Sequence, residues 1–138
     1  MQNKNNAVEL IKKFQQLFTN LNHKEIAERL VKLVVAKAVI SRAVLVVERD
    51  SHLYVEAIAS QQDSELLVNG ITTSLNRLNY LPHQHIHQVF DSGKPQSLDS
   101  VQIQLLGAMF TQKGCKACYL HPILENDKTI AVFYMEAE

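Results

Sequence analysis

Two cysteines and three closely spaced histidines are the residues of this chain best equipped for chemistry. Cys115 and Cys118 form a C-x-x-C, which in a cytosolic protein serves as a redox pair or as half of a zinc site. The sequence offers no second half for the zinc reading. In extended strand, residues three apart point to opposite faces, so a disulfide requires Gly114 and Cys115 to lie in a turn or a helix end. The competing reading makes both thiols structural, with Cys118 facing the core or a pocket. His83, His85 and His87 alternate along one predicted helix, where only His83 and His87, four apart, can meet a ligand from the same side. At about 100° per residue the apolar face of Pro82, Ile86, Val89 and Phe90 has His83 and His85 on its two borders and His87 farther out. Boundary histidines that hydrogen-bond a polar ligand account for this pattern better than metal binding, and no metal site is assigned. Tyr54, Tyr119, Tyr134, Met109 and Phe110 have the character of core or pocket lining. No Gly-rich phosphate loop, nucleophile elbow or paired carboxylate appears, and Asp99 is a lone acid at a strand end. No catalytic residue is assigned, and the domain is expected to be non-enzymatic.

The elements that must position these residues follow from periodicity and caps. Asn6 with Glu9 has the spacing of a capping box and opens a helix whose stripe is Leu10, Ile11, Phe14, Leu17 and Phe18. Asn22 with Glu25 repeats the pattern, with Leu21 and Ile26 as a hydrophobic staple, and starts a second helix through Leu30, Leu33 and Val34. From Ala43 the chain turns β-branched. Residues 43–48 and 52–59 read as a hairpin around Arg49-Asp50-Ser51, the first arm apolar at every position and so suited to a central strand covered on both faces. Ile71 to Leu78 is compatible with an edge strand or a loop. Pro82 preorganises a helix that Ser92-Gly93 stops, and a brief strand is expected over Pro95 to Asp99. Val101 to Phe110 fits helix and strand periods alike. Two strands, Lys116 to Leu124 and Lys128 to Glu136, finish the chain around Glu125-Asn126-Asp127. This order predicts one α+β domain of the PAS/GAF kind, with residues 1–20 as an N-terminal helix and 21–138 as the core.

Three phrases carry a resemblance: Ala43-Val44-Leu45-Val46-Val47-Glu48 after a helix; Pro82 opening a helix that ends Val89-Phe90-Asp91-Ser92-Gly93-Lys94-Pro95; and Lys116 to Leu124 with its His121-Pro122-Ile123, followed by Ile130 to Glu136 with its Tyr134-Met135-Glu136. In order and spacing the region from Ile26 to Glu136 resembles the GAF domains of bacterial sensor kinases and related multidomain signalling proteins. The resemblance implies a central antiparallel sheet of five or six strands, N-terminal helices on one face, and a short helix plus loops over a small-molecule pocket on the other. The implied pocket candidates are Tyr54, Pro82, His83, Ile86, His87, Phe90, Asp99, Met109, Phe110 and Cys118. The Cys-His pair that anchors a bilin in phytochrome-like members is missing, as is the Asn-Lys-x-x-x-Phe-x-x-x-Asp-Glu phrase of cyclic-nucleotide-binding members. No cofactor is therefore named.

Fourteen basic and fourteen acidic residues leave no net charge with which to select nucleic acid or an acidic membrane. The most apolar run, Val31 to Val47, is broken by Lys32, Lys37 and Arg42 and does not span a membrane. No secretory signal opens the chain, and two cysteines suit a reducing compartment, so a cytoplasmic location is expected. The expected function is regulatory: a small-molecule sensor in signal transduction, homodimeric through Leu10, Phe14, Leu17 and Phe18, and acting through a covalent or partner output module. The alternatives are a thiol redox sensor or GAF-like methionine sulfoxide reductase using Cys115 and Cys118, and a ligand-free dimerisation module.

Overall fold

In the computed structural model the described residues are 8–9, 12, 23–37, 40–60, 66–67, 73–78, 81–106 and 115–137. The N-terminal stripe of Leu10, Phe14, Leu17 and Phe18 lies outside them, as do Met109 and Phe110. Helix α1 (His23–Lys37) leads into β1 (Arg42–Arg49) and β2 (His52–Ser60). Two short strands follow, β3 (Leu66–Leu67) and β4 (Thr73–Ser74), then a 3₁₀ turn, Leu75–Arg77. Helix α2 (His83–Ser92), strand β5 (Gln96–Leu98), helix α3 (Ser100–Leu106) and strands β6 (Ala117–Glu125) and β7 (Lys128–Ala137) complete the order. Among the described residues all strand pairs are antiparallel, in the order β3-β2-β1-β7-β6-β5, with β4 also paired to β2.

Strand β1 sits inside the sheet between β2 and β7, which explains its unbroken apolar run. Period-2 alternation sends Ala43 and Leu45 to one face and Val44 and Val46 to the other, and all four are buried. On the first face α1 lays Leu30, Val31, Val34 and Val35 against Ala57, Phe133 and Met135. On the second face Ile86 and Val89 of α2 and Ile103 of α3 meet Val44, Leu120, Val132 and Tyr134. Neither α2, with ten residues, nor α3, with seven, is long enough to hold itself helical in water. Burial of each such side chain contributes about 1.5–3 kcal/mol, and this docking is what keeps them folded.

Both hairpins turn on two consecutive positive-φ residues, Asp50 (52°) with Ser51 (67°) and Asn126 (53°) with Asp127 (63°), the twist that matches paired strands. A bulge between Leu45 and Val46 makes Glu56 the extra residue of β2, and the buried Glu56 carboxylate takes two bonds from Arg49 Nη2, at 3.0 and 2.9 Å. The segment that allows an edge strand over 71–78 is divided, strand at 73–74 and 3₁₀ turn from Leu75, whose side chain is buried in the second-face core. Gly93 ends α2 at φ 67°, with its N–H on the Val89 carbonyl. A Cβ there would meet Thr129 Oγ1 at 3.4 Å and Leu124 Cδ2 at 3.6 Å, so space is adequate and the cost lies in the backbone. Gly93→Ala is expected to lower stability by about 1–2 kcal/mol, read from urea unfolding midpoints, with no change in the slope.

Candidate functional site

The C-x-x-C is placed by the start of β6. Cys115 lies two residues ahead of the strand, and Lys116 N–H is held by the Ala137 carbonyl at 2.9 Å, so Cys115 escapes strict strand alternation. Its sulfur therefore swings to the same side as Cys118, and the two Sγ atoms stand 3.5 Å apart. Cys118 is fully buried and Cys115 nearly so, and both are free thiols.

Around Cys118 the antiparallel register assembles polar groups far apart in sequence. Cys118 pairs with Glu136 across β6 and β7, and Glu136 pairs with Arg42 across β7 and β1. Two residues back along β7, and therefore on the same face, stands Tyr134. Cys118 Sγ lies 3.3 Å from the Tyr134 hydroxyl, which donates to Glu136 Oε2 at 2.6 Å, and Arg42 Nη2 forms an ion pair with that same oxygen. A continuous buried polar chain thus runs from Cys115 through Cys118, Tyr134 and Glu136 to Arg42.

The environment separates the two thiols. The hydrogen bond with Cys118, with help from the Arg42 charge, pulls the Cys115 thiol below its ordinary value against the opposing effects of burial and of Glu136. Cys118 is driven far up, first by its hydrogen bond with Cys115 and then by burial; its contact with Tyr134 opposes the rise. Burial foremost, then the Glu136 charge, pushes the Tyr134 phenol well above its ordinary range. The outcome is one sulfur disposed to ionise beside one that keeps its proton.

The remaining residues singled out in the sequence are dispersed. Pro82 is buried at the N-cap of α2, Ile86 is fully buried, and Phe90 is half-buried against the same core. His83 is half-buried, with Nε2 in close contact with the Leu78 carbonyl, and His85 Nδ1 lies 3.2 Å from Gln96 Oε1. His87 is exposed. Tyr54 is half-buried on β2, opposite Val47 and Ser74. Asp99 caps α3: its Oδ1 accepts the Gln102 N–H at 2.9 Å while its own N–H donates to Gln102 Oε1 at 3.0 Å, a capping box. That box decides the segment whose periodicity was ambiguous, since Asp99 followed three residues later by Gln102 marks a helix start. Among the described residues no group of three or more His, Cys, Asp or Glu side chains is arranged to hold a metal ion. The sequence reading missed Arg42 and Glu136 as site residues. Their signal was a charge directly flanking an unbroken apolar run, Arg42 before Ala43 to Val47 and Glu136 after Ile130 to Met135.

No family model and no curated protein matches the sequence. Solved structures do match. The nlh2 GAF domain of A. aeolicus in an inactive state aligns with 99% of this chain and 82% of its own length at TM-score 0.62 and 12% identity. The fRMsr of Staphylococcus aureus, in complex with substrate, aligns with 96% of this chain and 79% of its own at TM-score 0.60 and 16% identity. The phycocyanobilin-bound GAF domain of a cyanobacterial phytochrome aligns with 95% and 79% at TM-score 0.57 and 13% identity. With its antiparallel sheet between α1 on one face and α2 with α3 on the other, the chain folds as a GAF domain.

Proposed function

We propose that this domain is a regulatory module that binds a small molecule on the sheet face covered by α2 and α3 and passes occupancy to its terminal helices. The observation that carries the reading is the match over 95% or more of the chain to GAF-fold structures solved with bilin or substrate bound. The local geometry supports it. Helix α2 is seated through Ile86 and Val89, while His83, His85 and Phe90 stay half-buried along its borders, where they can contact a ligand without losing the core. Pro82, His87 and Asp99, with Met109, Phe110 and Cys118, complete the proposed surroundings of the ligand. Tyr54 is not among them, because its neighbours Leu53 and Val55 are buried on this face and Tyr54 lies on the other, with its partner Val47. No helix of the described residues is long and apolar enough to cross a membrane. The domain works in the cytoplasm as a homodimer through Leu10, Phe14, Leu17 and Phe18, joined to or partnered with an output module. Ligand binding regulates only if it favours one packing of the terminal helices over another.

Native mass spectrometry of the protein purified from its own source is expected to show a bound small molecule. Phe90→Ala is expected to weaken that molecule's binding by about tenfold or more, the loss of one aromatic anchor. A dimer that carries no added mass and whose melting does not respond to a metabolite panel would replace this reading with a ligand-free dimerisation module.

A further inference from the structure

We propose that Cys115 and Cys118 form a reversible dithiol–disulfide switch, and that the Tyr134–Glu136–Arg42 chain carries its state to the junction of α1 with the sheet. This inference is independent of any pocket ligand. Four observations bear on it together. The sulfurs approach to 3.5 Å, so closing a bond of about 2.05 Å needs side-chain rotation and a small loop adjustment and no rearrangement of the sheet. Cys115 lies outside β6, which leaves its side chain free of strand alternation. The pair is chemically unequal, with Cys115 favouring the thiolate and Cys118 holding the proton. Finally, Cys118 Sγ touches the Tyr134 hydroxyl at 3.3 Å, so the pair is wired to the buried ion pair.

The oxidant is hydrogen peroxide. The Cys115 thiolate attacks one peroxide oxygen; an S–O bond forms, the O–O bond breaks, and hydroxide leaves and takes a proton to become water. Sulfur has lost two electrons and the peroxide has gained them. The Cys118 sulfur then attacks the Cys115 sulfenic sulfur; the S–S bond forms, the S–O bond breaks, and the Cys118 proton leaves with the departing hydroxide as a second water. A small thiol or dithiol reverses the change by exchange.

The consequence for the fold comes from what Cys118 gives up. In the thiol form the Tyr134 oxygen accepts from Cys118 S–H while its own proton goes to Glu136. In the disulfide the Cys118 sulfur carries no proton, and Tyr134 keeps its bond to Glu136 but loses the one it accepts from Cys118. Glu136 is the common anchor: its carboxylate holds Arg42, and its carbonyl accepts both Ser41 N–H at 2.8 Å and Ser41 Oγ–H at 2.9 Å. Ser41 and Arg42 are the residues through which β1 follows α1.

The test is stepwise hydrogen peroxide treatment of the full chain with intact-protein mass spectrometry and amide hydrogen exchange. The wild type is expected to lose about 2 Da as a monomeric chain, to regain it with dithiothreitol, and to show no sulfinic product before the disulfide forms. Cys118→Ser is expected to stop at a sulfenic acid that dimedone traps. Cys115→Ser, with Cys115→Ala as the second variant, is expected to react at least about tenfold more slowly, since a thiol that keeps its proton is a poor nucleophile. Exchange at Ser41 N–H is expected to differ between reduced and oxidised wild type, and Tyr134→Phe is expected to form the disulfide while losing that difference. Direct over-oxidation, an intermolecular crosslink, or Cys115→Ser reacting as fast as wild type overturns the switch; equal Ser41 exchange in both states overturns the relay. None of these outcomes depends on a bound small molecule, so the ligand-binding reading stands or falls separately.

Discussion

Arg42→Met is expected to destabilise the domain by about 3–5 kcal/mol, among the largest effects of any single polar substitution. The reason is the state of Glu136 once its cation is gone. Its side chain is only 5% exposed and that of Arg42 14%, so little water can replace the guanidinium. The Tyr134 hydroxyl continues to donate to Oε2, but one neutral donor does not offset a buried negative charge. That cost measures the stranded carboxylate and not the net worth of the pair. Accordingly Arg42→Met combined with Glu136→Gln is expected to recover more than half of the loss, because the neutral amide still accepts from Tyr134 and needs no cation. In thermal unfolding the single variant should melt on the order of 10 °C lower. A loss below about 1 kcal/mol, or a double variant no more stable than the single one, would show that Glu136 is solvated in a way the buried geometry does not allow.

Alkaline pH is the second large perturbation expected. Cys118 and Tyr134 both have folded-state values raised above those of the unfolded chain, about 9.0 and 10.0. A group raised in this way contributes stability that is complete below its unfolded value and is lost as pH rises, because the unfolded chain releases a proton that the folded one keeps. Each such group costs about 1.4 kcal/mol per pH unit above its unfolded value. At pH 11 the two together should lower stability by about 4 kcal/mol relative to pH 8.5. Tyr119, raised mainly by burial, acts in the same direction. Cys115 acts with opposite sign: its folded value lies below 9.0, so its contribution is lost as pH falls and is already complete above 9.0. Urea midpoints from pH 7 to 11 are therefore expected to rise slightly or stay level to about pH 9 and then to fall steeply. Cys118→Ser should remove the earlier part of the fall, between about pH 9 and 10. A midpoint unchanged to pH 11, or a fall identical in Cys118→Ser, would contradict the burial of these protons.

Most of the architecture was legible because it is written in local periods. The all-apolar Ala43 to Val47 demanded a strand covered on both faces, and β1 lies between β2 and β7 with a helix layer on each side. Pro82 and Gly93 bracketed α2, and the paired strands at the end of the chain carried their own turn residues. The helix at Ser100–Leu106 was less legible, since its sequence fits helix and strand periods alike and Val101 and Leu105, which carry the helical period, are exposed; its cap was the better evidence. The stripe of Leu10, Phe14, Leu17 and Phe18, with Met109 and Phe110, lies beyond the described residues.

The C-x-x-C was visible as a pair of thiols and also as a geometric problem, since strand alternation would have separated the sulfurs. Sequence alone determined that Cys115 and Cys118 were three apart and that Tyr134 and Glu136, two apart in a strand, must share a face. Tertiary structure decided the rest. Register across β6, β7 and β1 brought Cys118, Glu136 and Arg42 into one row, and a strand that begins only at Ala117 let Cys115 turn back toward Cys118. Pairing partners lie up to 94 residues apart, and no local period encodes which strands become neighbours. That choice follows from how two apolar sheet faces are buried at once, and it is what turned two cysteines into a polarised pair.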